Sequence, residues 1–252
     1  MLERILPPQV AAAERFAGDE PAGGPGETLF PAEQALVARA VDRRRREFTS
    51  GRACARAALA GLGLPPVPIL QGERGAPQWP AGVAGSITHC DGYRAAAAAR
   101  TSDLVSLGVD AEPDQPLPAG VLDMISTAAE RAWLAELAGP AGPATPAALP
   151  VCWDRLLFSA KEAVYKAWFP LARCWLDFGQ ADLTIGPHHE AGPGRAAITG
   201  TFDARLLVPG PPVNGRPLQL LRGRWLAARG LIVTAVLVPA SPAAVTAEPA
   251  RH

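Results

Sequence analysis

Two acidic side chains lie where they could share a metal ion. Asp110 and Glu112 stand two residues apart at the end of the mostly apolar segment 104–109, which is predicted to be a β-strand. Side chains alternate along a strand, so both carboxylates point to the same side. Two carboxylates this close repel each other unless a cation lies between them, and oxygen ligands with room for water suit Mg²⁺. The alternative is a pair of solvated acids at a strand end.

A third carboxylate comes from an amphipathic helix that is predicted over residues 153–169. Its apolar residues gather on one face at helical spacing: Trp153, Leu156, Leu157, Ala160, Val164, Ala167 and Trp168. The opposite face carries Arg155, Ser159, Glu162 and Lys166. Glu162 is therefore a candidate metal ligand. A surface ion pair between Glu162 and Lys166, which are four residues apart, is the alternative.

Lysine is rare in this chain, and its placement is informative. Lys161 and Lys166 are the only lysines among 24 basic Lys and Arg residues. A genome that prefers arginine codons explains the scarcity as a whole. Two ammonium groups five residues apart in one helix nevertheless suggest a place where a compact positive charge meets phosphate.

Histidine and arginine side chains supply further candidate anion ligands. His89 ends a predicted strand and could donate a charge-assisted hydrogen bond to a diphosphate. Arg44, Arg52, Arg56 and Arg74 could bind a nucleotide 3′-phosphate, because a planar guanidinium pairs with phosphate through two hydrogen bonds. For each of them, an exposed or purely structural role is the alternative.

Helices and strands alternate without a strict strand–helix–strand repeat, which predicts an α+β fold. The glycine-rich fingerprints of dinucleotide and P-loop sites do not follow any predicted strand. Besides the helix over 153–169, we expect helices from Pro31 and through 50–59, and strands over residues 83–90, 93–100, 104–110 and 231–238.

Proline and glycine divide the chain into three parts. Residues 7–27 are rich in Pro, Gly and Ala, so residues 1–30 are expected to form an irregular N-terminal arm. A proline-rich joint at 113–118 separates a first half, 31–113, from a second half, 114–252. We expect the active site at the interface between the two halves.

Composition argues against several classes of protein. The formal net charge is zero, so no nucleic-acid partner is expected. The four cysteines are scattered without metal-binding spacing and no signal peptide opens the chain, which favours the cytoplasm. The longest apolar stretches, such as Leu231–Val238, are far shorter than the roughly 20 residues of a membrane helix, so no membrane partner is expected.

Four segments resemble, in order and spacing, the motifs of one enzyme family. They are Gly72–Pro77, Gly85–Cys90, Gly108–Glu112 and Phe158–Trp168. These motifs are similar to those of the 4′-phosphopantetheinyl transferases that activate surfactin and enterobactin synthetases. The likeness extends in particular to actinobacterial members, which serve polyketide, fatty-acid and peptide synthases. It runs from about residue 43 to residue 238, and the last two motifs together are highly specific.

The resemblance implies a fold, a reaction and a set of partners. The fold has two similar α/β halves related by a pseudo-two-fold axis, with coenzyme A in the cleft between them. With Mg²⁺, or Mn²⁺ in its place, such an enzyme transfers 4′-phosphopantetheine from coenzyme A to a serine of apo acyl or peptidyl carrier proteins. Adenosine 3′,5′-bisphosphate is released. The enzyme is expected to be a monomer.

The resemblance also implies roles for individual residues. Asp110, Glu112 and Glu162 become the Mg²⁺ ligands, and Glu162, alone or through a metal-bound water, becomes the candidate base for the carrier serine. Lys161, Lys166 and His89 become diphosphate contacts, and Asp110, Glu162 and Lys166 form the catalytic set. The remaining coenzyme A-binding residues share a place around the nucleotide: Arg44, Arg52, Arg74, Gly75, Pro77, Ser86 and Thr88.

Phe169 extends the expected site towards the carrier protein. On the helix it falls on the same side as Glu162, so its ring is expected to be exposed beside the active site, and Pro170 is expected to end the helix. Carrier proteins, by the same resemblance, present an acidic helix with an apolar patch on which an exposed ring would pack. A surface aromatic without a role is the alternative.

Two other functions fit the same residues. The carboxylates and lysines alone would serve another Mg²⁺-dependent transferase or hydrolase that acts on a nucleotide diphosphate. A non-catalytic binder of coenzyme A or of carrier proteins is the second alternative. An intact acidic triad argues against that binder, because binding alone has no need of a metal ion.

Overall fold

The computed structural model describes residues 1–18, 28–138, 151–191 and 197–241 and confirms an α+β protein. The helices are α1 (Pro31–Val37), α2 (Asp42–Gly61), α3 (Val121–Ile125), α4 (Ala128–Ala138) and α5 (Trp153–Ala172). The strands are β1 (Ala11–Phe16), β2 (Val83–Cys90), β3 (Tyr93–Arg100), β4 (Leu104–Pro113), β5 (Ala181–Ala191), β6 (Ala197–Leu206), β7 (Pro212–Val213), β8 (Arg216–Pro217), β9 (Leu220–Ala228) and β10 (Leu231–Pro239). None of the helices within these ranges is long and apolar enough to cross a membrane.

The strands form two main antiparallel sheets. The first has the order β1-β3-β2 and the second the order β4-β10-β9-β6-β5, while β7 and β8 pair separately. The five consecutive alanines of β3, Ala95–Ala99, are all fully buried. Alternate alanines pack against α2 on one face and against the second sheet on the other. Because these side chains are small, helix and sheets lie close together in layers.

The N-terminal segment is more regular than its composition predicts. Residues 11–16 form β1, which pairs antiparallel with β3, so the prediction of an irregular arm is wrong for this stretch. The sequence there has no alternation of apolar and polar residues, and its extended form depends on pairing with β3. Residues 19–27 of the predicted arm lie outside the described residues.

Strand β4, which carries Asp110 and Glu112, is part of the second sheet. It pairs with β10 along its whole length, from Pro113 opposite Leu231 to Leu104 opposite Pro239. The boundary after residue 113 therefore assigns β4 to the first half, although β4 belongs to the second sheet, whose other strands all lie in the second half. The short turn after β3 makes β4 look like a continuation of the first sheet, but β10 supplies its backbone partners.

Helix α5 lies against β4 at very short distance. A Cβ atom on Gly108 would come within 2.0 Å of the Ala163 carbonyl oxygen, so only glycine allows this approach. The Ser106 hydroxyl donates to the Ala167 carbonyl at 2.7 Å and fixes the same contact. Pro170 lies inside the helix, which continues to Ala172, so the predicted end at the proline is wrong by two residues.

Candidate active site

A cleft of about 610 Å³ separates the first sheet from α5. One wall consists of the loop 72–79 and of β2, and the other wall is the face of α5 that carries Glu162 and Lys166. Seven of the predicted site residues line it: Arg74, Gly75, Pro77, Ser86, Glu162, Lys166 and Phe169. The position of the active site between two halves of the chain stays a prediction.

Asp110 is buried beside Lys166 and has one carboxylate oxygen free. Its side chain is 5% exposed, and Oδ1 accepts a hydrogen bond from Lys166 Nζ at 2.7 Å and one from Thr88 Oγ1 at 3.2 Å. Oδ2 has no hydrogen-bond partner among the described residues. A buried carboxylate oxygen without a partner is costly, so Oδ2 is suited to a ligand that the cleft admits.

The other two acids show that negative charge is crowded here. Desolvation by burial, followed by the charge of Asp110, raises the pKa of Glu112 and of Glu162 above the ordinary glutamate value. A divalent cation would relieve this repulsion, and the donors are the hard oxygens that Mg²⁺ prefers. Within the described residues, however, no three acidic, His or Cys side chains converge as a complete set of metal ligands.

Arg155 binds one of these acids, Glu112. Its guanidinium forms an ion pair with Glu112 at 2.9 Å and donates to the backbone carbonyls of Gln115 and Pro116, both also at 2.9 Å. The sequence placed Arg155 on the polar face of the helix without giving it a role. The structure shows that it holds the Glu112 carboxylate by one of its oxygens.

The loop before β2 places a cation at the rim of the cleft. Arg74 and Gly75 both adopt left-handed backbone angles, with φ of 53° and 77°. This tight turn directs the exposed Arg74 guanidinium over the ring of Trp175, 5.5 Å from its centroid. The motif Gly72–Pro77 thus forms a rigid turn, in which Gly75 is needed for its positive φ.

Arg44 and His89 form a second group of candidate phosphate contacts. Arg44 Nη1 lies 3.2 Å from His89 Nε2, and because arginine can only donate, Nε2 accepts and Nδ1 carries the proton of the neutral ring. Desolvation by the surrounding protein atoms lowers the pKa of His89, although the residue is still exposed to solvent. The charges of Arg44 and Lys166 lower this pKa further, whereas the charge of Glu47 raises it. The imidazole is therefore predominantly neutral at pH 7.

Comparison with known proteins agrees with this architecture. Residues 32–99 match the model of the 4′-phosphopantetheinyl transferase N-terminal domain, and residues 106–206 match that of the 4′-phosphopantetheinyl transferase superfamily. The chain is 54% identical to 4′-phosphopantetheinyl transferase Svp of Streptomyces mobaraensis, over all of this chain and 94% of the relative. This chain belongs to the 4′-phosphopantetheinyl transferase superfamily.

Two further actinobacterial relatives cover most of the transferase. The enzyme Npt of Nocardia iowensis is 50% identical over 94% of this chain and 99% of its own length. The enzyme PptT of Mycobacterium tuberculosis is 49% identical over 85% of this chain and 88% of its own length. The family and the enzyme class that the motifs predict are thereby confirmed.

Lys161 does not reach the cleft of the transferase, although the sequence analysis assigned it to the diphosphate. Its ammonium group pairs with Glu130 at 2.8 Å and donates to the carbonyls of Phe178 at 2.6 Å and Ala181 at 3.1 Å. All three of its N–H donors are therefore used. Desolvation lowers the pKa of Lys161, opposed by Glu130. Lys161 fastens α5 to α4 and to the start of β5.

Arg52 also differs from its predicted role. Only 5% of the residue is exposed, and its Nε donates to the Ile69 carbonyl at 2.6 Å. Burial lowers the pKa of Arg52 to about 10, the neighbouring Glu33 acting in the opposite direction. Arg56 is held still deeper by Glu33, at 3.0 Å. These arginines connect α2 to α1, and of the α2 candidates Arg44 is the one exposed beside His89.

Ser86, Thr88 and Phe169 are buried rather than exposed to the cleft's solvent. The two hydroxyl residues are 3% and 2% exposed, and Phe169 is 3% exposed, so its expected exposure is wrong. Phe169 does face the cleft side of α5, but the ring of Tyr165 packs on it with centroids 5.9 Å apart. The side of α5 on which Phe169 lies was predicted correctly, but the packing of Tyr165 over its ring was not predicted.

Two aromatic residues of the site escaped the sequence analysis. Trp175 is 49% exposed at the cleft rim, and its ring lies 4.8 Å from that of Tyr165. The Tyr165 hydroxyl is buried and has no partner among the described residues. Both rings also border a small cavity of about 60 Å³ beside Glu162. The position of Trp175, three residues after the end of the motif helix, was the signal in the sequence that could have identified it.

Proposed function

We propose that this transferase moves 4′-phosphopantetheine from coenzyme A to a serine of apo acyl or peptidyl carrier proteins and releases adenosine 3′,5′-bisphosphate. The observation that carries the proposal is the buried Oδ2 of Asp110, unpartnered among the described residues, beside Lys166, whose side chain lines the cleft between the first sheet and α5. The three relatives, all bearing the name of this activity, support the reaction class.

The cationic groups around the cleft are placed to bind the phosphates of coenzyme A. Lys166 would contact the diphosphate from the α5 side, where its Nζ already meets a carboxylate oxygen at 2.7 Å. Arg44 and Arg74 would bind the nucleotide and its 3′-phosphate from the first half, and His89 would contact the diphosphate. Charge-assisted hydrogen bonds to phosphate are short and strong, so these groups orient the donor before transfer.

Asp110, Glu112 and Glu162 would hold Mg²⁺, and the bound ion would neutralise charge on the diphosphate. The fit rests on the free Oδ2 of Asp110 and on the raised pKa values of the two glutamates. Glu112 would have to be shared between the ion and Arg155, which holds one of its oxygens. Mn²⁺ has the same ligand preferences and would replace Mg²⁺.

Glu162 is the proposed general base. Its carboxylate lines the cleft on the α5 side, where it could accept the proton of a serine hydroxyl that enters the cleft. The serine oxygen forms a bond to the phosphorus that bears pantetheine. The bond from that phosphorus to the bridging diphosphate oxygen breaks, the electron pair leaves with adenosine 3′,5′-bisphosphate, and Glu162 accepts the serine proton.

Mass spectrometry of apo carrier proteins tests this proposal. Carriers of fatty-acid, polyketide and peptide type are incubated with the enzyme, coenzyme A and Mg²⁺, and a gain of one phosphopantetheine is expected on at least one type. A carrier with its serine replaced by alanine is the control. Release of adenosine 3′,5′-bisphosphate without carrier would instead indicate a hydrolase, and binding without transfer would indicate a non-catalytic binder.

We further propose that the enzyme acts as a monomer in the cytoplasm. The four cysteines, all within the described residues, are free thiols, which supports a reducing compartment. Light scattering after size-exclusion chromatography should give a mass near 26.2 kDa. A mass near twice that value would contradict the monomer.

A further inference from the structure

Two side-chain hydroxyls of β2, in the first sheet, bind β4, in the second sheet, next to Asp110. Among the described residues, no backbone ladder connects β2 with β4. β2 pairs with β3 and β4 pairs with β10, so the facing edge of β4 needs other partners. Ser86 Oγ accepts the Val109 N–H at 3.1 Å, and Thr88 Oγ1 accepts the Ala111 N–H at 3.0 Å. These two bonds fix β4 on either side of Asp110.

Thr88 makes one bond that Ser86 does not. A hydroxyl that accepts from a backbone N–H still has its own proton to donate, and Thr88 Oγ1 donates to Asp110 Oδ1 at 3.2 Å. Lys166 donates to the same oxygen at 2.7 Å. The two donors to Oδ1 fix the orientation of the Asp110 carboxylate, and Oδ2 has no hydrogen-bond partner among the described residues.

We infer that Thr88 is a positioning residue for Asp110. Its hydroxyl ties the Asp110 carboxylate to the seam between the two sheets and so presents Oδ2 to a divalent cation. The inference rests on the proposed function, in which Asp110 holds Mg²⁺. It differs from the expectation that Thr88 lines the nucleotide pocket, because the Thr88 hydroxyl is already bonded to Ala111 and Asp110 of β4.

Thr234 provides a matched control for this inference. It lies on β10 opposite Asp110, is fully buried, and its hydroxyl is bonded to the side chain and the carbonyl of Ser159, both at 3.0 Å, and not to Asp110. Thr234→Val therefore removes a buried hydroxyl by the same substitution as Thr88→Val and should lower stability to a similar extent. Only loss of the Thr88 hydroxyl should disturb Asp110.

Mn²⁺ binding in the presence of coenzyme A, followed by the electron paramagnetic resonance signal of free Mn²⁺, is the decisive measurement. We expect Thr88→Val to weaken Mn²⁺ binding about tenfold or more, as is typical when a residue that orients a metal ligand is lost. Thr88→Ser, which keeps the hydroxyl, and Thr234→Val should each stay within about twofold of the wild type.

Kinetics supply a second readout. The Mg²⁺ concentration for half-maximal transfer should rise in Thr88→Val, whereas KM for coenzyme A, measured at saturating Mg²⁺, should change little. In an Asp110→Asn background, Thr88→Val should add little further loss, since it acts through that carboxylate. A raised KM for coenzyme A with unchanged Mn²⁺ binding would overturn the inference and return Thr88 to the nucleotide pocket.

The outcomes separate this inference from the proposed function. If the wild type neither binds Mn²⁺ nor modifies a carrier, the proposed function fails. If the wild type does both and Thr88→Val binds Mn²⁺ as tightly as Thr234→Val, Thr88 is only structural. Should Thr88→Val fail to fold, Thr88→Ser still decides, because a tenfold loss in that variant would show that the hydroxyl is not the operative group.

Discussion

The two faces of α5 carry the two lysines of the chain and use them differently. Lys166 faces the cleft and forms an ion pair with Asp110, whereas Lys161 faces the core and forms an ion pair with the fully buried Glu130. Five residues on a helix correspond to a rotation of about 140° beyond a full turn, so the two ammonium groups diverge. Membership of one motif therefore does not give two residues the same role.

The same contrast recurs elsewhere around the cleft. On α2, Arg44 lies exposed beside His89 while Arg52 is buried against the Ile69 carbonyl. Near the end of α5, Phe169 is covered while Trp175 is half exposed. In each pair, one residue is available to a substrate and the other holds the wall of the cleft together. The predictions below test this division.

The largest effect is expected from the residue that Lys166 contacts. Asp110→Asn should lower the transfer rate about a thousandfold, because several kcal/mol of charge stabilisation at the diphosphate would be lost. The amide can still accept from Thr88, so the circular dichroism spectrum should be unchanged. Asp91→Asn, in the exposed turn before β3, is the control. Loss of the folded spectrum would assign Asp110 a structural role instead.

The lysine pair should separate stability from activity. Lys161→Met leaves the Glu130 carboxylate buried without its cation and should reduce the free energy of unfolding by about 3–5 kcal/mol. Lys166→Met should lower kcat/KM by about ten- to a hundredfold, since a charged hydrogen bond to phosphate is lost, with a smaller change in stability. Urea unfolding and steady-state kinetics measure the two quantities.

A double variant controls for the lysine comparison. Lys161→Met combined with Glu130→Gln should recover part of the lost stability, because the uncompensated charge is gone. If Lys161→Met is instead as stable as the wild type but inactive, Lys161 contacts the substrate and the contrast between the two faces of α5 is wrong.

Much of the fold followed from the sequence because several elements carry strong local patterns. Strands over 83–90 and 93–100 and the start of α5 occur where apolar periodicity predicted them. β1 was missed because its residues, Ala-Ala-Ala-Glu-Arg-Phe, alternate in neither polarity nor size. Its conformation is determined by β3, which is distant in sequence, and such pairing leaves no local signal.

For the site, sequence identified residue types better than their directions. The structure brings Asp110, Glu162 and Lys166 together, because β4 and α5 each fix their side chains by regular geometry, while the catalytic roles of these residues stay predictions. Lys161 and Arg52 were assigned to phosphate because their buried acidic partners, Glu130 and Glu33, lie 31 and 19 residues away in sequence. No periodicity connects such partners, so only the fold reveals that these cations are already paired.

The arginines of α2 should show an intermediate effect. Arg44→Ala should raise KM for coenzyme A about tenfold, with a smaller penalty for dephospho-coenzyme A if its partner is the 3′-phosphate. Arg52→Ala should instead lower stability by about 1–3 kcal/mol, because the Ile69 carbonyl loses its donor. Arg43→Ala, a neighbour whose side chain is 75% exposed, is the control. Equal KM effects for Arg44 and Arg52 would contradict the division.

A pH effect of a few fold is expected from His89. Its pKa is lowered, so the free enzyme holds a neutral ring near pH 7, whereas a bound diphosphate favours the charged ring. Binding then takes up a proton, and KM for coenzyme A should fall as the pH decreases from 8 to 6. Dephospho-coenzyme A removes the titration of the 3′-phosphate from the measurement. His89→Gln should flatten the profile; an unchanged profile in that variant would exclude His89.

Contact with the carrier protein is tested by comparing Trp175 with Phe169. Trp175 presents about half of its ring at the cleft rim, held by Tyr165 at 4.8 Å and by Arg74 at 5.5 Å. A fixed, exposed aromatic ring is a favourable contact for an apolar patch, but half of it is already packed. Trp175→Ala should therefore raise KM for the carrier only about three- to tenfold. Phe169→Ala, which removes a buried ring, should lower the melting temperature instead. If Trp175→Ala leaves the carrier KM unchanged, the exposed ring has no part in docking, and the carrier must contact another part of the rim.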